Sequence, residues 1–306
     1  MGWLLWGACY YALVTGDTAY NEMIKKAGDF LISRQITDTN DPRYGLLKGG
    51  YGSYNFDDYS YIEGEIEWCS TEHQCSALQG LEGCSLVLNV KKYKEAAELI
   101  RDQLYFKLYD KENGRFFQGI SAAPDSAWAL DCTTWAGLTA FSILNKECSF
   151  SCEEAAKVEF LTEKKYIVQS SDKDYYNERY SSSHAFTGFK PYSDRDGGYT
   201  GSPDIVWSEG TLGYAALALM LGHEEEAKTY VDEVIAMQDV SNGKGGVLYT
   251  TATHAQLPWE FHVWESVVSS SWLYLIIHNP DVLFPKTMRQ VYYMAKISNI
   301  HPEERQ

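Results

Sequence analysis

The chain has 306 residues, 45% hydrophobic and 22% charged, a balance that suits a globular chain able to bury a core. Its 42 acidic residues against 26 basic ones leave a net charge of −16, with no cluster of Lys and Arg to offset it. Nucleic acid and anionic membrane surfaces are therefore disfavoured as partners, and a neutral or cationic ligand is expected.

Taken in chain order, the sequence repeats one pattern: an apolar helix, a short polar turn, an amphipathic helix. Leu4 to Val14 runs apolar, Thr15-Gly16-Asp17 breaks it, and Tyr20 to Gln35 resumes with Ile24, Ala27, Phe30 and Leu31 at helical spacing. Cys75 to Leu88, the turn Asn89-Val90 and Tyr93 to Leu108 form the second copy. The third is Trp128 to Leu144, a turn around Asn145, and Cys152 to about Val168. The fourth is Trp207 to Leu221, the turn Gly222-His223, and Glu224 to Met237. The fifth is Val263 to Ile277, the turn His278-Asn279-Pro280, and Phe284 to Ile297.

The first helix of each pair is apolar nearly all round, as in Gly213-Tyr214-Ala215-Ala216-Leu217-Ala218-Leu219-Met220, and such a helix is buried on every side. The second is charge-rich, as in Glu224-Glu225-Glu226-Ala227-Lys228, and keeps one face in water. Alternation of the two predicts an all-α chain with an inner ring of helices wrapped by an outer ring: an alpha/alpha toroid, read as one domain over residues 1–306. Five pairs are visible, so the ring has five, or a sixth lies upstream of Met1. The connections between pairs are long: Ile36 to Ser70, Asp110 to Ala127, Gln169 to Val206, and Asp239 to His262. Long loops inside a compact domain are commonly functional, and in a toroid they gather at one end.

Four inner helices carry an acid near their start, each beside a Trp. They read Trp68-Cys69-Ser70-Thr71-Glu72-His73, Trp128-Ala129-Leu130-Asp131-Cys132-Thr133-Thr134-Trp135, Trp207-Ser208-Glu209, and Trp259-Glu260-Phe261-His262-Val263-Trp264-Glu265. One such acid is ordinary, because a carboxylate favours the positive end of a helix dipole and caps free N–H groups. Four in succession predict an acidic pocket walled by indole rings. That pairing suits glycoside hydrolysis, which needs one carboxylic acid to protonate the leaving oxygen and one carboxylate as base or nucleophile. Glu72, Asp131 and Glu209 are the expected catalytic groups. Glu63, Glu65 and Glu67, just upstream, are alternatives to Glu72.

At these residues the chain resembles bacterial six-hairpin (alpha/alpha toroid) glycosidase-like proteins. The resemblance rests on Tyr44-Gly45-Leu46-Leu47-Lys48-Gly49-Gly50, then the Ser-Thr-Glu-His element at Ser70–His73, then Leu130-Asp131 with Trp135, then Trp207-Ser208-Glu209-Gly210-Thr211, in that order and over roughly residues 40 to 280. Gln74 stands where that pattern carries Asn, which keeps an amide. The resemblance implies a toroid that acts on carbohydrate.

The sugar platform is expected from Trp68, Trp135, Trp207 and Trp264, and hydroxyl-binding groups from His73 and Gln74, with His262 and Glu265 also facing the substrate. A second reading is a sugar epimerase or isomerase using His73 and His262 as proton-transfer groups, with His184 and His254 as further histidines to weigh. A third is a carbohydrate-binding toroid without chemistry.

Other patterns are weaker. Glu72-His73 lacks the HExxH spacing of a helical zinc site, and Glu260-Phe261-His262 stands alone, so no metal is expected. Asp194-Arg195-Asp196-Gly197-Gly198 has alternating oxygen ligands but not the rest of a calcium loop, and reads as a polar turn. Ser266, Ser269, Ser270 and Ser271 read as helix packing, without a GxSxG elbow. Neither GxGxxG nor a P-loop is present, so no nucleotide cofactor is expected. Seven cysteines (Cys9, Cys69, Cys75, Cys84, Cys132, Cys148 and Cys152) include no CxxC and read as reduced small hydrophobes. No apolar run reaches the ~18–20 residues of a membrane span. Residues 1–13 lack the basic start of a signal peptide, which reads as cytoplasmic, or secreted should the natural chain begin upstream.

Overall fold

The computed structural model describes all residues except 56–57, 144–145, 169–179, 196–201, 242–244, 257–258, 285–288, 291 and 294–306, and leaves the side chains of 141–143, 255–256 and 259 aside. The described helices are α1 (Gly2–Thr15), α2 (Asn21–Ser33), α3 (Thr71–Leu88), α4 (Lys91–Gln103), α5 (Leu130–Ile143), α6 (Lys146–Phe160), α7 (Ser208–Leu221), α8 (Glu224–Asp239) and α9 (Val267–His278). Odd-numbered helices neighbour one another in the order α1, α3, α5, α7, α9, and the even-numbered ones pack outside them. The fold is an alpha/alpha toroid.

Burial follows from the sequence pattern. In α7 every residue from Gly210 to Ala218 is buried, whereas α4 buries only Tyr93, Ala96, Ala97 and Ile100, the i, i+3, i+4, i+7 stripe of a helix with one wet face. The turns inside pairs are short because the helix ends are stopped sharply. Gly16, Asn89 and Gly222 cap α1, α3 and α7 in the left-handed region, at φ 71°, 55° and 91°. A Cβ on Gly2 would lie 2.6 Å from the backbone of Ser76 and Ala77, so α1 and α3 approach backbone to backbone. Where α9 and α1 meet, Trp3 packs edge-on against Trp272 at 5.9 Å, and Asn279 donates to the Tyr10 hydroxyl at 3.4 Å.

The long connections gather at one end and tie each inner helix to the loop that follows. Cys69–Ser70, at the entry to α3, pairs antiparallel with Gly119–Ile120 of the loop before α5. Leu130 N, opening α5, donates to Pro191 O (2.9 Å) of the loop before α7, and Ser208 N, opening α7, donates to Tyr249 O (3.0 Å) of the loop before α9. The mouth of the ring is thereby a chain of backbone links from helix to helix. Among the described residues, no helix is long and apolar enough to cross a membrane, and the seven cysteines are buried and unbridged.

Several boundaries differ from the sequence pattern; α3 begins at Thr71 rather than Cys75 and α6 at Lys146 rather than Cys152. The fifth inner helix begins at Val267 rather than Val263, because Trp259–Phe261 and Glu265–Ser266 are taken into antiparallel pairs with His254–Gln256 and Val247–Leu248. Ser266 then caps the helix, its Oγ accepting from Ser269 N. α6 stops at Phe160, where Leu161–Lys165 pairs with Phe186–Phe189 as a strand. α4 stops at Gln103 and continues as a π-helical turn, Leu104–Leu108. After α9 the chain makes the short 3-10 turn Pro280–Leu283, and most of the expected outer helix Phe284 to Ile297 lies outside the described residues.

Candidate active site

Glu72, Asp131 and Glu209 are each the second residue of their helix, α3, α5 and α7. Because these helices are neighbours whose starts share one end, identical positions in three of them converge. All three carboxyl groups line one cavity of about 710 Å³, together with Trp68, His73, Gln118, Trp207, Tyr249 and Glu260. No acid comes from α1 and the second residue of α9 is Val268, so the helix-borne carboxylates come from α3, α5 and α7, with Glu260 added from the strand before α9.

Their environment decides their protonation. A helix N-terminus favours ionised acids, but here burial outweighs it. Burial pushes Glu72 up to about 8, aided by the charges of Asp131 and Glu209 and by a hydrogen bond to Asp131. Burial also raises Asp131, with a partial offset from Cys132 N–H, which donates to Asp131 Oδ1 at 2.8 Å, and from Glu72. Glu209 is pushed up to about 7, first by burial and then by Asp131. Around neutral pH the Glu72–Asp131 pair retains a proton between its two carboxyls, while a separate carboxyl on α7 is close to ionising. Burial lowers His73, which favours its neutral form.

The local sequence around each acid holds it. In Trp207-Ser208-Glu209-Gly210-Thr211, a Cβ at Gly210 would lie 2.3 Å from the Trp207 ring and 2.6 Å from Leu130, so only glycine lets Trp207 fold over the start of α7. Thr211 Oγ1 donates to Trp207 O (2.8 Å) and accepts from Phe189 N (3.0 Å), and Ser208 Oγ donates to Tyr249 O (3.0 Å). At α3, Thr71 Oγ1 donates to Phe117 O (2.5 Å).

Of the substrate-facing residues expected from sequence, Trp68, His73, Trp135 and Trp207 line the cavity. Trp135 does so with its ring stacked on Trp3 (4.7 Å, 22°), so its face is shared with another indole. Four others are placed elsewhere. Gln74 is fully buried behind the helix, accepting from Leu47 N (2.8 Å) and donating to Leu47 O (2.9 Å) and Ser70 O (3.2 Å). Its amide pins the Gly45–Gly49 loop instead of binding hydroxyls. Trp264 packs on His262 (4.7 Å), and His262 contacts Glu260 Oε2 (3.1 Å); neither lines the cavity, because the strands before α9 turn them aside. Glu265 accepts from the Tyr180 hydroxyl (2.6 Å) and lines a separate groove beside α9.

The alternatives to Glu72 are also elsewhere. Glu65 and Glu67 form ion pairs with Arg34, Arg43 and Lys48 on an exposed hairpin, and Glu63 accepts from the Tyr51 hydroxyl. His184 pairs with Glu233 (2.9 Å), and His254 sits on the His254–Gln256 strand. Of the serine cluster, Ser269 is buried against Ser208 (2.8 Å), Ser270 and Ser271 donate to the carbonyls of Ser266 and Val267, and Ser271 lines the cavity. Asp194 accepts from Lys190 (3.1 Å), while Asp196 to Gly198 lie outside the described residues. Among the described residues, Glu153, His223 and Glu226 bring potential ligand atoms within 4.8 Å of one another, away from the cavity. Lys157 bridges the two carboxylates there.

Sequence reading missed Tyr249, Gln118, Tyr192 and Trp272, all cavity-lining. Three come from loops, where no periodicity marks an inward side chain. Tyr249 is the most telling. Its phenol is raised by burial and by the neighbouring Glu209, Asp131 and Glu72, which places it among the three acids.

No protein-family model and no curated protein sequence matches the chain. Solved structures do. A possible member of glycoside hydrolase family 105 from Klebsiella pneumoniae matches with TM-score 0.57 and 12% identity, over 94% of this chain and 70% of that one. A novel alpha-amylase from Clostridium perfringens matches with TM-score 0.53 and 11% identity, over 96% and 76%. A family 76 alpha-mannanase from Bacteroides thetaiotaomicron matches with TM-score 0.52 and 13% identity, over 97% and 69%. The chain has the fold of the six-hairpin glycosidase-like toroids. At these identities the likeness carries the architecture, and the chemistry rests on the cavity.

Proposed function

We propose that the protein is a glycoside hydrolase that cleaves an oligo- or polysaccharide, neutral or cationic, by carboxylate acid/base catalysis. The observation that carries this reading is the convergence of Glu72, Asp131 and Glu209 in one cavity with protonation raised by burial and by one another. Glu72 is the general acid: its carboxyl retains its proton at neutral pH and lies hydrogen-bonded to Asp131, which stabilises the dyad as the proton leaves for the glycosidic oxygen. Glu209 comes from another helix and acts as the base or nucleophile once ionised. Trp68 and Trp207 offer aromatic surface to the sugar, and Tyr249 and Gln118 supply hydroxyl and amide partners.

The epimerase reading needs two histidines in one site. His73 lines the cavity and His262 does not, so the geometry favours the carboxylates. The test is a panel of oligosaccharides and polysaccharides incubated with the purified protein, read by new reducing ends. Cleavage of at least one glycan that disappears in Glu209→Gln is the expected result. An intact fold that cleaves no glycan, or a Glu209→Gln protein that cleaves as the wild type does, overturns the reading.

A further inference from the structure

We propose that Arg115 is a positioning residue of the site: it holds the backbone entering α5 so that Asp131 meets Glu72. The inference rests on the hydrolase reading for its catalytic consequence, though its geometric part stands alone.

Arg115 lies in the loop between α4 and α5, on the short strand Arg115–Phe116 that pairs with Tyr109–Asp110. It is 2% exposed, an unusual place for a guanidinium, and it does not line the cavity. Burying this charge is unfavourable unless it is well used. Its two terminal nitrogens grip consecutive carbonyls: Nη1 donates to Ala127 O (2.9 Å) and Nη2 to Ser126 O (3.0 Å). The guanidinium also lies 4.0 Å from the centre of the Trp128 ring, and its Nε is 3.5 Å from Asp110. One planar cation therefore fixes residues 126, 127 and 128 together, as a fork-shaped donor can and an ammonium cannot.

Trp128 is only three residues before Asp131. From the other side, Ser193 N donates to Trp128 O (3.1 Å) and Leu130 N to Pro191 O (2.9 Å). The segment 126–130 is thus clamped between Arg115 and the segment 191–193, with Asp131 emerging directly from the clamp. The loop that carries Arg115 also anchors Glu72: Thr71 N and Oγ1 donate to Gln118 O (3.0 Å) and Phe117 O (2.5 Å), and Cys69–Ser70 pairs with Gly119–Ile120. The meeting of Glu72 with Asp131 depends on this loop holding register with both helix starts, and Arg115 supplies that register for Asp131.

The groups that face the Glu72–Asp131 pair are Glu209 from α7, His73 and Cys75 from α3, Cys132 from α5 and Tyr249 from the loop before α9. Arg115 itself faces Asp110, Arg195 and Cys132. When Asp131 retreats, Glu72 loses both a hydrogen bond and a charge that favour its protonated form, so its proton is held less tightly.

The test compares the full-length wild type with Arg115→Lys, which keeps the charge but loses the fork. Carboxyl carbons of ¹³C-labelled glutamate are titrated by NMR, and kinetics are measured on the cleaved glycan. The expected result is a Glu72 midpoint about one pH unit lower. It is accompanied by a kcat lower by about 100-fold with KM within about twofold, the signature of misplacement at the reacting groups. An unchanged Glu72 midpoint alongside a lower melting temperature overturns the proposal and makes Arg115 a purely structural residue. Should Arg115→Lys not fold, Asp110→Asn, which loosens the guanidinium from its Nε side, is titrated in its place. It is expected to shift Glu72 in the same direction by a smaller amount, and no shift overturns the proposal. If the titration shifts as expected while no glycan is cleaved by the wild type, the positioning role holds and the hydrolase reading fails.

Discussion

Two clusters of acids, one on the hairpin before α3 and one at the starts of the inner helices, have opposite fates. On the hairpin before α3, Glu65 and Glu67 are exposed and paired with Arg34, Arg43 and Lys48. The lysine and the arginines hold both carboxyls low, Glu65 at about 2. At the start of α3, Glu72 is buried beside two other acids, and the same side chain is pushed up to about 8. The difference is one of partners and water, not of residue type. Cations in solvent make a carboxylate permanently charged, which suits an ion-paired surface. Buried acids facing one another retain protons, which suits proton transfer.

The largest effects are expected in the buried cluster. Glu72→Gln and Glu209→Gln should each lower kcat on a cleaved glycan by on the order of 10²–10⁴-fold, while Glu65→Gln and Glu67→Gln leave it within about twofold. Equal losses in the two clusters, read by the same kinetics, would erase the contrast.

A smaller effect is expected in stability. Glu72 and Glu209 bind protons more tightly folded than unfolded, so the wild type loses stability as pH rises from about 4.5 through their folded values near 7 and 8. Glu72→Gln and Glu209→Gln cannot ionise. They should melt above the wild type at pH 8.5, with the gap closing as pH falls to about 4.5, by thermal denaturation across that range. Glu65 shows the reverse sign. Its folded value is depressed, so the contribution of its ion pairs is present above about 4.5 and is lost as pH falls toward about 2. In Glu65→Gln the gap from the wild type should therefore be widest near neutral pH and smallest in acid, and it should be small throughout, because exposed ion pairs contribute little.

Much of the toroid was legible because burial leaves a direct trace in sequence. Helices apolar all round and helices with one apolar stripe alternate, and α1 and α7 fall close to their expected ranges. The acids at Glu72, Asp131 and Glu209 were legible for the same reason, since equal positions on parallel inner helices must converge. The segment before α9 was not. Val263 to Ser266 was read as the first turn of the helix, with Trp259 to His262 just before it, and the pairing of Trp259–Phe261 and Glu265–Ser266 with residues 254–256 and 247–248 makes this stretch extended instead. That error moved Trp264, His262 and Glu265 to the cavity wall in the sequence reading. Gln74 misled for a different reason. It follows Glu72-His73 directly, but a step of two residues along a helix turns a side chain well away from Glu72, and the backbone of Leu47 was waiting there. Tyr249 and Gln118 were invisible because loop side chains follow no period.

The most direct measurement of the central claim is the pH dependence of kcat/KM on a cleaved glycan, for wild type and Glu72→Gln. Buried acids working as donor and base predict a narrow bell near neutrality, with limbs close to 7 and 8, and loss of the alkaline limb in Glu72→Gln. An optimum near pH 4 to 5, where solvent-exposed carboxyls titrate, or an alkaline limb that survives in Glu72→Gln, would contradict it.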